Sequence, residues 1–156
     1  MQMTDLEAKM RPGALSQEGF LGPRESLDSI LQEDRATLAR LGMSYNVIAD
    51  ALEKVLLLAA DRYWEHREGF RVGNLLIHLV VFRGFQDCPW GCPRTIHKAL
   101  DYIDFVITDT QTRESVAGPG LITHLIRDHQ FFEGKESPYR VDPDKLARVL
   151  GLIHGA

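Results

Sequence analysis

Two stretches near the start of the chain repeat their apolar residues with helical spacing, and the pattern then contracts into short apolar runs. Leu27, Ile30, Leu31, Leu38 and Leu41 fall near one helical face, with Ser26 placed to cap the segment and Gly42 to stop it. Ser44 opens a second helix whose stripe runs through Val47, Ile48, Ala51, Leu52, Val55, Leu56, Ala59 and Tyr63, to about Trp64 or His66. Met43 before that cap and Ile48 inside the helix have the spacing of a hydrophobic staple. Gly42 between the two helices predicts a helical hairpin, packed on itself or on a sheet.

Beyond the second helix the residue types change. Residues 70–85 are rich in Val, Ile, Leu and Phe, punctuated by Gly69, Gly73 and Gly84, and residues 75–82 suit a buried strand. Residues 101–108 are β-branched and aromatic, Asp109 to Thr112 is turn chemistry, and residues 113–117 can return as a hairpin partner. Gly118-Pro119-Gly120 interrupts the chain before a helix faced by Leu121, Leu125 and Ile126, which ends before Gly134. Asp142 followed by Pro143 is a helix start, because proline at the first helical position forfeits no hydrogen bond. Leu146, Val149, Leu150 and Ile153 form the buried stripe of that last helix.

This order predicts an α+β fold: an N-terminal helical hairpin, a small antiparallel β-sheet and C-terminal helices. Residues 1–24 carry Pro12, Gly13, Gly19, Gly22 and Pro23, and read as a loose arm that Phe20 and Leu21 can anchor. Residues 25–156 then make a single α+β domain. The full 156 residues suffice for a core that buries roughly 70% of the unfolded-chain surface.

Composition removes some classes of function. An apolar fraction of 44% and a charged fraction of 26% are those of an ordinary globular protein. A net charge of −4, with basic residues scattered singly, disfavours nucleic-acid binding. The apolar runs are too short to span a bilayer, and the first residues lack the apolar core of a secretory signal. A cytoplasmic protein with no membrane association is expected, and in a reducing compartment close cysteines are more often metal ligands or redox groups than disulfides.

The chemistry concentrates in four residues. The chain's two cysteines, Cys88 and Cys92, flank Pro89-Trp90-Gly91, and His124 and His129 flank Leu125-Ile126-Arg127-Asp128. The resulting Cys-x3-Cys and His-x4-His spacings lie inside the ranges of finger-type zinc sites, roughly two to four and three to five intervening residues. Two thiolates and two imidazoles complete a tetrahedral zinc shell, which links the cysteine loop to a helix; the likeness to zinc fingers extends only to ligand spacing. One geometric difficulty follows from the helix: at about 100° per residue the two histidines stand about 140° apart. They converge only if the helix is distorted or ends there, and His97 is therefore a reserve ligand. His78, in the apolar strand, is a weaker one. Asp128 lies one turn from His124, where it can hold a ligand's second ring nitrogen. Iron in place of zinc remains open.

Competing readings use the same residues. Cys88 and Cys92 could be a redox dithiol, but the usual motif has two intervening residues and opens a helix. A small zinc-dependent hydrolase needs an open metal position and a base, for which Glu133 or Asp128 are the nominees, and the chain has no His-Glu-x-x-His motif. Residues 41–52 resemble the first part of a helix-turn-helix, yet the apolar pattern runs on through Leu58, as in a core helix. Trp90 can shield the metal or thiols or anchor a partner, and Phe131-Phe132 can close the core beside the site. The missing catalytic motifs lean against an enzyme. The reading is a zinc-binding protein with a structural Cys2His2-type site, a non-enzymatic interaction or regulatory module whose partner is another protein.

Overall fold

Each long helix begins where a serine hydroxyl supplies the acceptor that the first turn lacks. In the computed structural model, which describes residues 3–82, 86–93 and 100–153, Ser26 accepts from Ser29 N and Ser44 from Val47 N. The helices they open, α2 (Leu27–Leu41) and α3 (Tyr45–Asp61), follow α1 (Met3–Met10). Gly42 ends α2 at φ 64°, a left-handed conformation that costs glycine little. Met43 packs against the core, to which the fully buried Ile48 belongs.

Four strands follow: β1 (Phe70–Val72), β2 (Leu75–Val81), β3 (Ile103–Asp109) and β4 (Ser115–Pro119), hydrogen-bonded in that order and antiparallel throughout. Register sets which face is buried. Ile77, Ile107 and Val116 lie across from one another, as do Leu79, Phe105 and Gly118, and these rows face the core. Gly120 is obligatory after β4, because a Cβ there would stand 2.0 Å from the Leu100 carbonyl oxygen.

Two short helices complete the fold, α4 (Ile122–His129) and α5 (Pro143–Val149). Asp142 caps α5 by accepting from Lys145 N, with Pro143 in its first turn. The expected α+β architecture with a small antiparallel sheet is present. The helical hairpin fits loosely: α2 packs against α5, and α3 against α4 and β2, so each helix meets later elements more than its neighbour. The α2 connection includes a buried ion pair, Asp34 receiving two bonds from Arg140 at 2.6 and 2.7 Å. α3 runs unbroken through Leu58, with Ile48, Leu52 and Leu56 in the core, which answers the helix-turn-helix comparison.

Within residues 1–24, Leu6, Met10, Phe20 and Leu21 are buried. Phe20 and Leu21 both donate their backbone N–H to the Met10 carbonyl at the end of α1, and Gly134 N donates to Phe20 O at 2.7 Å. Among the described residues, no helix is long and apolar enough to cross a membrane.

Candidate metal centre

The cysteine loop is turned by its own composition. Gly91 N donates to Cys88 O at 2.9 Å, and Gly91 takes φ 83°. That reversal, with Pro89 fixing the preceding backbone, brings Cys92 back beside Cys88. Cys88 is buried, Cys92 half-buried, and both are unpaired thiols.

The histidines come from α4, whose placement is fixed from both sides. Leu121, Leu125 and Ile126 are fully buried. On the other flank, Arg127 donates to Asp50 at 2.7 Å and Glu53 at 3.0 Å, clamping α4 to α3. The helix stops at His129. Gln130 enters the left-handed region at φ 58°, its N–H bonds to Ile126 O, and Phe131 N reaches back to Leu125 O. The bond from Gln130 to Ile126 is that of the left-handed (αL) helix cap, with glutamine in the position usually held by glycine. The structure thus takes the second of the two ways the histidines can meet: the helix ends there. The ring centroids lie 5.0 Å apart at an interplanar angle of 87°.

The four predicted residues come together. One donor atom from each of Cys88, Cys92, His124 and His129 lies within 4.8 Å of the others, a group that could hold a metal ion. His129 Nε2 is 3.5 Å from Cys88 Sγ and 3.3 Å from Cys92 Sγ. Around tetrahedral zinc, bond lengths of about 2.3 Å to sulfur and about 2.05 Å to nitrogen put S and N about 3.6 Å apart. The measured S···N separations match that geometry, and the softness of the donors suits zinc.

Neighbouring groups orient the donors. His124, only 3% exposed, has Nδ1 2.6 Å from Asp128 Oδ2. A carboxylate so placed can hold that nitrogen and leave Nε2 for a metal. Trp90 stacks face to face on His129, centroids 4.0 Å apart and planes 3° from parallel, and meets the Phe131 ring edge-on at 5.5 Å. Phe131 and Phe132 are fully buried, closing the core next to the cluster.

Burial dominates the protonation behaviour. It pushes the Cys88 thiol up to about 11, with the neighbouring Cys92 adding to the effect. It also lowers His129 to about 4, with the neighbouring His124 adding to the effect and Asp128 opposing it. Without metal, Cys88 is therefore a neutral thiol and His129 a neutral imidazole with a lone pair to offer.

The remaining nominees separate from the cluster. His97 lies outside the described residues. His78 sits on β2, its ring against Gly69, and is not a member of the group. Glu133, one nominee for a hydrolytic base, is buried, accepts from Ser137 Oγ at 3.1 Å and lines a cavity that none of the four donors touches. The other, Asp128, is committed to His124. Trp90, expected to shield the site or to anchor a partner, stacks on His129, a contact that its place between two potential ligands does not specify. No family model matches the chain, and no curated protein or solved structure matches it either.

Proposed function

We propose that this protein binds one zinc ion through Cys88, Cys92, His124 and His129, and that the site is structural. The observation carrying this reading is the convergence of four soft and borderline donors, from a loop and a helix end distant in sequence, within 4.8 Å. His129 would ligate through Nε2, which already stands at tetrahedral spacing from both sulfurs. His124 would ligate through Nε2, since Asp128 engages Nδ1. Zinc holds the thiolates deprotonated and, with four protein ligands, retains no position for water. Its contribution is to tie the cysteine loop to the end of α4.

A filled shell argues for a non-enzymatic interaction or regulatory module acting in the cytoplasm. Support for a protein partner comes from the outer sheet face, where Val80 and Val106 are 54% and 39% exposed opposite the buried Ile77 and Phe105 rows. The hydrolase alternative requires an open metal position and a nearby base, and the location of Glu133 weighs against it.

Elemental analysis with thiol titration on one sample of the full chain tests the reading. The expected result is about one zinc per chain, with both thiols masked until a chelator removes the metal. Two thiols that titrate freely and no metal uptake after zinc add-back would contradict it. A reversible disulfide in place of metal would favour the dithiol reading.

A further inference from the structure

A second site lies apart from the cysteine and histidine cluster, in a cavity of about 250 Å³ between residues 15–20, residues 86–87 and residues 133–139. Its walls are tied together. Gly134 N donates to Phe20 O at 2.7 Å, Ser137 Oγ lies 3.1 Å from Gly19 O, and Gln86 N donates to Asp101 O at 2.7 Å. Leu15, Phe20 and Tyr139 supply apolar surface, while Glu18 and Glu133 face the same space. Asp87 adds a third carboxylate, and among the described residues the lining contains no lysine, arginine or histidine.

Two buried oxygens of the lining stand without a donor. Glu133 is only 1% exposed, and its Oε2 receives no hydrogen bond from the protein; the same holds for Gln86 Oε1. A buried acceptor left unmatched is costly, so the lining favours a guest rich in N–H groups. Electrostatics points the same way. Burial pushes the Tyr139 phenol upward, and Asp104, Glu18 and Glu133 each push it further, Glu18 and Glu133 from within the cavity lining. The Arg140 guanidinium bonds to Asp34 and to the Glu133 carbonyl. A metal fits less well: among the described residues, the group whose donor atoms converge closely enough for an ion is the cysteine and histidine one.

We infer that this cavity binds a small organic cation, a guanidinium or primary ammonium group, with Glu133 as its buried anion and Glu18 at the rim. The cation's N–H groups match the unpaired oxygens of Glu133 and Gln86, and the aromatic rings of Phe20 and Tyr139 suit a planar cation. Seating the cation converts Glu133 to its carboxylate, and the proton passes to solvent. Glu133 is also faced by Asp104, which opposes this ionisation, and by Arg140, which favours it.

The test is titration of the zinc-supplemented full chain with methylguanidinium chloride, followed by calorimetry and amide chemical shifts. Methylurea, its neutral counterpart of the same shape, serves as control. The expected result is saturable binding with a dissociation constant on the order of 1 mM or tighter, shifts centred on Glu18, Gln86, Glu133 and Tyr139, and no saturation by methylurea. Glu133→Gln, which keeps the carboxamide shape, should weaken binding about tenfold. Should that variant not fold, Glu18→Lys, at an exposed position, decides instead and should weaken binding comparably. Absence of saturable binding, equal binding of methylurea, or unchanged affinity in the folded variants would each overturn the inference and leave a cavity filled by water alone.

Discussion

Replacing Cys88 by serine removes one soft donor while changing little else in shape, and its effect can be worked out in two conditions. Zinc that binds only the folded chain stabilises it by mass action, by about 2.7 kcal/mol when free metal is a hundred times Kd. For a chain of 156 residues, each kcal/mol moves Tm by roughly 2–4 °C. Wild-type protein should therefore melt about 5–11 °C higher in zinc than in chelator. In chelator, Cys88→Ser loses stability only through its position: residue 88 is 3% exposed, and an unmatched buried hydroxyl costs about 1–3 kcal/mol. The informative quantity is thus the difference between zinc and chelator within each protein, read by calorimetry or circular dichroism. For Cys88→Ser that difference should collapse toward zero as stoichiometric metal is lost. A Cys88→Ser protein that keeps both the zinc-dependent rise in Tm and its full metal content would refute the ligand assignment.

Other consequences follow from single contacts. Asp128→Ala removes the carboxylate that orients His124, and should weaken zinc about 10–100-fold in a chromogenic chelator competition; because the Asp128 side chain is 43% exposed, stability in chelator should hardly change. Asp34→Ala strands the Arg140 guanidinium, whose side chain is 12% exposed, and should cost about 3–5 kcal/mol in denaturant unfolding; a loss of less than about 1 kcal/mol would place that pair among ordinary surface bridges. Burial, reinforced by Asp104 and opposed by Ser137 and Arg140, holds the Glu133 carboxyl well above its ordinary value of 4.5. The folded chain therefore keeps a proton that the unfolded chain releases, and this group's contribution to stability falls as pH rises from about 4.5 toward the folded-state value. Glu133→Gln should abolish that slope, so its unfolding midpoint relative to wild type should rise between pH 5 and pH 8; a constant difference would contradict the assignment.

The elements that were legible in the sequence are those whose ends carry chemistry. Ser26, Gly42, Ser44 and Asp142 each mark a boundary that the backbone respects, because each satisfies hydrogen-bonding groups a helix end leaves open. α3 stops at Asp61, short of Trp64, because no comparable cap stands there: Arg62 leaves helical geometry at φ −105° while Tyr63 continues to pack on the core. β1 merged into the longer apolar run, although Gly73-Asn74 joining Val72 to its partner Leu75 is a two-residue hairpin signal. α1 offers only Leu6 and Met10 as buried contacts in the described part of the helix, too few to set a period. At the site, ligand identity was legible from residue type and spacing, and Asp128 from its position one turn after His124. The approach of His124 to His129 was legible only as a condition, that the helix be distorted or end there; what ends it is Gln130, in a left-handed conformation that glutamine does not advertise. The cavity around Glu133 was also hidden, since Glu18 and Glu133 meet only through tertiary packing of the first residues on the turn after α4.

X-ray absorption at the zinc edge of metal-loaded protein addresses the central claim most directly, since it counts sulfur and nitrogen donors without relying on a variant's stability. The account requires two sulfurs at about 2.3 Å and two imidazole nitrogens at about 2.0–2.1 Å, with His129→Ala losing one nitrogen and Cys88→Ser one sulfur. A shell of oxygen and nitrogen alone, or one with a single sulfur in the wild-type protein, would contradict it.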